Sequence, residues 1–382
     1  MELTKCKLGE LITQRREKND GSDLPICGVS KDGLIPPKQV DADTSIYNVF
    51  YRDDFIFNPA RMELNSIAIN DKYDRAICSS LYEVFYVHRM DLLLPHYLKL
   101  IIKQKWFTRY CEFLGQGSAR EYCRFNNISE IEVEFPSIEE QQKIVDYYTS
   151  LQERIEIKKQ INDNLEATAQ AVFQEQFAPF YGTDELPDGY SIVNLDSLCT
   201  VKGGKRLPAD CELLDTPTEH PYIRVRDVGG SRYVCLTNQF QYIDEETYSA
   251  ISRYIVNTGD IVISIVGTIG LLGKVHSSLD KANLTENCVK LANIHTVTSD
   301  YFYYTLWYKK QIKEIELLTV GAVQAKLPMY NIQSMKILVP PIKVIEEFQN
   351  KMNVFNEQIE ANTVEIQRLY ELQEVLLAKM SD

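Results

Sequence analysis

Apolar side chains recur at spacings of three and four through two long segments of the chain, and alternate over short runs elsewhere. In the first segment they fall at Ile144, Tyr148, Leu151, Ile155, Leu165 and Val172; in the second at Phe348, Met352, Phe355, Ile359, Ile366, Leu369 and Leu376. That is the heptad-like period of a coiled-coil seam. Lys158, Asn162 and Asn362 interrupt it near the middle, and buried polar groups of this kind can fix register. Ahead of the first segment, "FPSIEEQ" offers Ser137 as an N-cap with Glu140 three residues on, a capping box with acids in the first turn. Each segment predicts a helix of about 38 residues, roughly 57 Å long. Such an element is a spacer, and the equal length and shared frame of the two favour their pairing with each other.

Between these segments the pattern shortens. "DDFIFN" (53–58), "YEVFYV" (82–87), "RYIVN" (253–257) and "DIVISIV" (260–266) predict strands, while 94–114 and 299–318 each predict one helix. No tandem strand–helix–strand order stands out, so a doubly wound sheet is disfavoured. The chain also repeats itself. With an offset of 204 residues, Gly117 falls on Gly321, Asn127-Ile128 on Asn331-Ile332, Pro136 on Pro340 and Ile155 on Ile359. Upstream, "KLGELI" (7–12) resembles "NLDSLC" (194–199), and "DDFIFN" resembles "GDIVIS" (259–264). The expected class is mixed α/β (α+β). A globular unit (1–135), a long helix (136–178), a second globular unit (179–339) and a second long helix (340–382) follow one another as an internal repeat.

Composition changes this picture little. The 382 residues are 45% hydrophobic and 25% charged, as in ordinary globular proteins. No apolar run approaches a membrane span, and the N-terminal segment lacks a basic-then-apolar secretion signal, so a cytoplasmic location is expected. Nine cysteines without C-x-x-C and five unpaired histidines argue against a zinc site or a disulfide framework. The net charge of −13 speaks against a nucleic-acid partner until it is mapped. Segments 136–178 and 340–382 hold −8 of it, which leaves room for basic patches on the globular units.

Catalytic motifs fail one by one. "GDIVISIVGTIG" (259–270), with Gly273-Lys274 beyond, suggests a phosphate loop, but Thr268 stands where the first glycine belongs and Val275 where Ser or Thr belongs. A strand ending in a sharp turn fits better, with Gly267 and Gly270 permitting unusual backbone angles. "NPAR" (58–61) lacks the second proline and the aromatic ring of an amino-methyltransferase tetrad. No nucleophile-elbow pentapeptide occurs.

Several pieces in order carry a family resemblance. They are "GVSKDGLIPP" (28–37), "YRDDFIFNPARMELNSIA" (51–68) and "EFPSIEEQQKIV" (134–145), then "VKGGKRLP" (201–208), "NTGDIVISIVGTIG" (257–270), "LTENCVKL" (284–291) and "GAVQAKLP" (321–328) before "VPPI" and the second long helix. Over essentially its whole length the chain resembles the specificity subunit of type I restriction–modification systems. The resemblance implies two target-recognition domains that each read half of a split sequence on double-stranded DNA. It implies long helices paired antiparallel as a ruler, two modification (methyltransferase) subunits docked on them, and restriction/translocase subunits beyond. The chain itself would be non-catalytic and free of cofactors, with S-adenosylmethionine, ATP and Mg2+ used by its partners. "VPPIKVIEEF" has Lys343-Val344 where the first helix has Glu139-Glu140, so the two helix starts are not equivalent. Base edges are read mainly by Arg, Lys, Asn and Gln. The candidate DNA-binding residues are Lys31, Arg52, Arg61, Gln116, Ser118, Arg120 and Arg124 in the first unit. In the second they are Lys202, Lys205, Arg206, Arg224, Arg226, Thr268, Lys274, Gln324 and Lys326, of which Arg206 and Gln324 sit in glycine-flanked loops. Two other readings stay open: a coiled-coil scaffold that binds only proteins, and the specificity half of another type of restriction–modification enzyme.

Overall fold

A computed structural model describes the chain except residues 1–2, 31–32, 38–39, 41–42, 115–121, 184, 238, 322–324 and 381–382. It divides into two compact units, residues 1–155 with 368–382, and residues 156–367. The long helices are Ile138–Phe177 and Ile342–Lys379, and each contributes to both units. No described helix is long and apolar enough to cross a membrane.

The two units share one topology. In the first, Thr4–Lys7 pairs antiparallel with Glu132–Phe135; in the second, Ser191–Asn194 pairs likewise with Lys336–Val339. The registers match, Lys7 opposite Glu132 and Asn194 opposite Lys336. The first unit's main sheet runs Ile12–Arg15, Glu83–Val87, Phe55–Phe57, Ile67–Ile69. The second unit repeats that order with Thr200–Gly203, Cys288–Ala292, Ile261–Ser264, Leu272–Val275, and adds Tyr233–Val234. Each unit has a further sheet with one parallel pairing, between Ile26–Ser30 and Arg75–Cys78 or between His220–Ile223 and Asn283–Leu284.

The turn ahead of the central strand shows how different residues meet the same requirement. Asp53 (φ 65°) and Gly259 (φ 85°) both take the left-handed region. The next residue caps the turn: Asp54 accepts from Tyr51 N–H at 2.7 Å, and Asp260 accepts from Asn257 N–H at 2.9 Å. Each carboxylate is then matched by a cation from the same sheet, Arg15 at 2.6 Å and Lys290 at 3.2 Å. A buried carboxylate needs both services.

In the second unit the long helices run antiparallel, with Phe173 beside Phe348 at one end and Lys158 beside Glu365 (2.9 Å) at the other. The polar interruption is a connected layer. Lys158 Nζ donates to Asn362 Oδ1 at 3.0 Å, and Asn362 Nδ2 donates to Asn162 Oδ1 at 2.8 Å. Leu151, Ile155, Phe348, Met352, Ile359 and Leu369 are buried as the seam predicts. Leu165, Val172, Phe355, Ile366 and Leu376 are half-buried, as are Ile144 and Tyr148. Past Asn162 the fully covered positions are instead Ala169, Phe173 and Phe177, four apart. There the helix stops following its partner alone and packs into an aromatic cluster with Tyr301, Tyr304 and Phe348.

Three expectations need correcting. The stretch 94–114 is two helices, Pro95–Ile102 and Lys105–Leu114, broken where Gln104 turns inward and accepts from Phe107 N–H at 3.2 Å. The stretch 299–318 breaks likewise, into Ser299–Gln311 and Glu314–Leu317, at Lys313 with φ 60°. "RYIVN" is a 3-10 turn, Ser252–Tyr254, followed by a single bridge from Ile255 to Asn283 rather than a strand.

Candidate nucleic-acid interface

The strand that opens "GDIVISIVGTIG" ends at Ser264, whose hydroxyl donates to Thr268 O at 2.6 Å and accepts from Leu271 N–H at 2.8 Å. Gly267 (φ 79°) and Gly270 (φ 75°) let the chain reverse into the antiparallel strand Leu272–Val275. Strand follows strand, so no helix N-terminus is present to hold a nucleotide phosphate. What the turn does hold is a second loop: Leu327 N–H donates to Ile265 O at 2.9 Å, which places Lys326 beside the turn that carries Thr268. The first unit makes the equivalent bond, Cys123 N–H to Pro59 O at 3.1 Å, which places Arg124 beside the turn that carries Arg61. Cys123 and Leu327 are one position of the repeat. Each unit therefore builds the same corner, where the exit of the central strand meets the segment that carries Cys123 or Leu327.

A second feature lies in the second unit. A groove of about 380 Å³ is lined by Arg206, Arg224 and Arg226 over an apolar floor that includes Leu207, Leu213 and Tyr222. Arg206 is 82% exposed and its Nε lies 3.0 Å from Glu286. Arg226 reaches across to Gln239 O at 3.0 Å. Arg224 is more enclosed, held by Gln241 and by Asp227 (3.5 Å). Burial pushes the Asp227 carboxyl up to about 6, with the nearby Arg226 guanidinium pulling the other way. Protonation below that pH removes the negative charge that offsets Arg224 and Arg226 beside the groove. Because the folded value lies above the ordinary 3.8, the unit also loses stability as pH rises through that window. We expect DNA affinity at low salt to rise several-fold as pH falls from about 7.5 to about 5.5. In Asp227→Asn the profile should be flat at the high-affinity level, as read by anisotropy titrations across that range. An unchanged profile in the variant would remove Asp227 from the account.

The other candidates separate by what already engages them. Arg52 donates from Nη2 (2.8 Å) and Nε (3.1 Å) to the single oxygen Asp74 Oδ1, and Arg124 lies 3.3 Å from Glu83. Lys274 turns inward to Asp300 at 2.7 Å with 14% of its side chain exposed, so its charge is spent inside the unit. Arg61, Lys202, Lys205 and Lys326 are exposed and make no ion pair among the described residues, although Lys205 lies 5.8 Å over the Tyr254 ring. Lys31, Gln116, Ser118, Arg120 and Gln324 lie outside the described residues.

Pattern reading missed the residues that hold each unit on the long helices. Gln141, fully buried, donates to Leu92 O (2.7 Å) and Pro136 O (2.9 Å) and accepts from Leu94 N–H at 2.9 Å. In the second unit the repeat position is Ile345, and the tie is ionic instead: Arg232, Asp300 and Glu166 meet beneath the sheet. Arg232 follows two glycines and reads as a surface cation; Asp300 reads as an ordinary first-turn acid. No local signal distinguishes them, because the groups that hold Arg232 are remote in sequence: Glu166 on the first long helix, Asp300 on the domain helix and Asn356, 124 residues away, on the second long helix.

Comparison with known proteins agrees with the repeat. A family model for the type I restriction modification DNA specificity domain matches residues 6–167 and again 187–376. The chain is similar to the type I restriction enzyme MjaIX specificity subunit of Methanocaldococcus jannaschii, 24% identical over 302 residues, which span 76% of this chain and 69% of that protein. It is similar to the HindI specificity subunit of Haemophilus influenzae, 20% identical over 361 residues, 76% of this chain and 77% of that protein. Among solved structures, the type I restriction–modification S subunit from M. genitalium has the same fold, with TM-score 0.52 at 16% identity over 99% of this chain and 96% of that one.

Proposed function

The chain belongs to the family of type I restriction–modification DNA specificity subunits, and from that premise we propose that each unit reads one half of a two-part DNA target. The carrying observation is the corner built twice, with the bond from Cys123 N–H to Pro59 O in one unit and from Leu327 N–H to Ile265 O in the other. Two equivalent readers joined by long helices suit a duplex whose own strands are related by a two-fold axis. The free cations Arg61, Lys202, Lys205 and Lys326 supply phosphate contacts, which position the protein; the loops between them supply base contacts, which specify. The acidic long helices repel phosphate and suit protein partners instead, the modification subunits, which carry the methylation chemistry. This chain contributes recognition.

Salt dependence tests the reading. Neutralising about four phosphates gives a slope of roughly −3.6 in log K against log salt, so affinity falls about a hundredfold between 50 and 200 mM. Measured with the modification subunits bound, each Lys→Ala change at 202, 205 or 326 should reduce the slope by about one and leave the preferred sequence unchanged. A flat salt response without sequence preference would instead identify a scaffold that binds only proteins.

A further inference from the structure

The second unit meets the long helices through a buried network of four charges. Arg232, with 1% of its side chain exposed, donates from Nη1 to Tyr304 Oη at 2.7 Å and from Nη2 to Tyr233 Oη at 2.8 Å and to Asn356 Oδ1. Its guanidinium lies 3.6 Å from Glu166 and 3.8 Å from Asp300. Asp300 is held further by Lys274 (2.7 Å), Gln349 (2.7 Å) and Asn356 (2.7 Å), and Glu166 accepts from Tyr304 Oη at 2.9 Å. Four elements converge. Lys274 comes from the main sheet and Arg232 from the bend that enters its edge strand, Asp300 and Tyr304 from the domain helix, Glu166 from the first long helix, and Gln349 and Asn356 from the second.

Stability alone does not call for this arrangement. Burying ions costs about as much as their attraction returns, and apolar replacements of similar volume are often as stable. An aromatic cluster is already present beside it: Phe173, Phe177, Phe348 and Tyr301 have ring centroids 5.0 to 6.2 Å apart. Ring-on-ring contacts tolerate rotation and sliding, whereas a guanidinium fork engaged by hydroxyls and amides on three elements accepts one orientation. Two cations against two anions leave the network neutral, so it fixes direction without adding charge. The first unit achieves its tie through neutral Gln141 and backbone groups.

We propose that Arg232 is a positioning residue. Through Glu166, Asp300 and Asn356 it sets the angle of the second unit on the long helices, and thereby the spacing at which that unit's half-site is accepted. The inference rests on the DNA-reading function proposed above.

The test compares the complex of this chain with its modification subunits in three forms. These are wild type, Arg232→Lys, which keeps the charge but loses the fork, and a quadruple variant Glu166→Gln, Arg232→Met, Lys274→Met, Asp300→Asn, which removes all four charges. Methylation mapping identifies the half-sites. Binding is then measured on duplexes with the native spacer and with one base pair more or fewer. Wild type should prefer the native spacer at least tenfold. Arg232→Lys should lose part of that preference, and the quadruple variant should accept the three spacers within about twofold, with the sequence preference of both half-sites unchanged. Full spacer discrimination in either folded variant would overturn the inference and reduce the network to a stability element. If the quadruple variant does not fold, Arg232→Lys decides by the same criterion. Loss of half-site sequence preference together with spacer preference would also overturn it. If wild type itself shows no sequence-dependent binding, the proposed function falls and this inference with it.

Discussion

Phe348→Ala is expected to destabilise the second unit by about 3–5 kcal/mol. Phe348 is fully buried, and the rings of Phe173, Phe177, Tyr301 and Tyr304 surround it at 5.3 to 6.2 Å. Truncation removes the ring through which the second long helix enters that cluster, and neighbours anchored on two other helices can close the cavity only in part. Several kcal/mol are a large fraction of the stability of any domain. Calorimetry should therefore show the transition of the second unit shifted down strongly while that of the first stays near its wild-type position. Val354→Ala on the same helix is the control. Val354 is 68% exposed, so its truncation should change stability by less than about 0.5 kcal/mol. Equal effects from the two substitutions would contradict the packing described above.

Gly204→Ala should be nearly as damaging for a different reason. A Cβ at Gly204 would lie 2.0 Å from Thr285 O and 2.4 Å from Leu284 O, and backbone atoms cannot turn aside as a side chain can. The close approach exists because Gly204 N–H donates to Cys288 O at 3.0 Å and Lys205 N–H donates to Leu284 O at 2.8 Å, which stitches "GGKR" against the segment that carries Glu286. Pushing these strands apart costs about 3 kcal/mol or more and opens the groove lined by Arg206, Thr285 and Glu286. Recognition of one half-site should weaken with it, while the other keeps its sequence preference. Gly230→Ala, with nothing within 4 Å of the added carbon, should leave both stability and binding close to wild type. Thermal melts and methylation mapping of the two variants check both halves of this expectation.

Long periodic elements and the repeat were legible because their signal is local and cumulative. The spacing of Leu151, Ile155, Phe348, Met352 and Ile359 survives into the buried seam, and Lys158, Asn162 and Asn362 form the polar layer that their position suggested. Matching Asp54 with Asp260 also held, down to the same capping bond. Legibility ended where tertiary contacts outweighed local preference. The breaks after Ile102 and Gln311 fall at Lys103-Gln104 and Ile312-Lys313, with neither glycine nor proline to mark them. Phe173 and Phe177 replaced Val172 because an aromatic cluster, invisible to a pairwise heptad, claimed that face. Lys274 looked like a DNA contact because it follows glycine beside a loop; only the fold shows that Asp300 has taken its charge. A basic residue near a loop is a weak indicator of an interface until its distances to carboxylates are known.

The polar layer carries a consequence for how such a chain could arise and be divided. Lys158 and Asn362 are the same position of the repeat, 204 residues apart, and they touch each other at 3.0 Å. In an assembly of two identical half-chains each such position would meet its own copy. Two first halves would set lysine against lysine, and two second halves asparagine against asparagine. Only the mixed pair gives the ammonium an amide oxygen and the Glu365 carboxylate at 2.9 Å. Once both halves share one polypeptide, the two copies of a position are free to diverge into complementary partners. Here that divergence makes the first half a poor match for itself and a good match for the second.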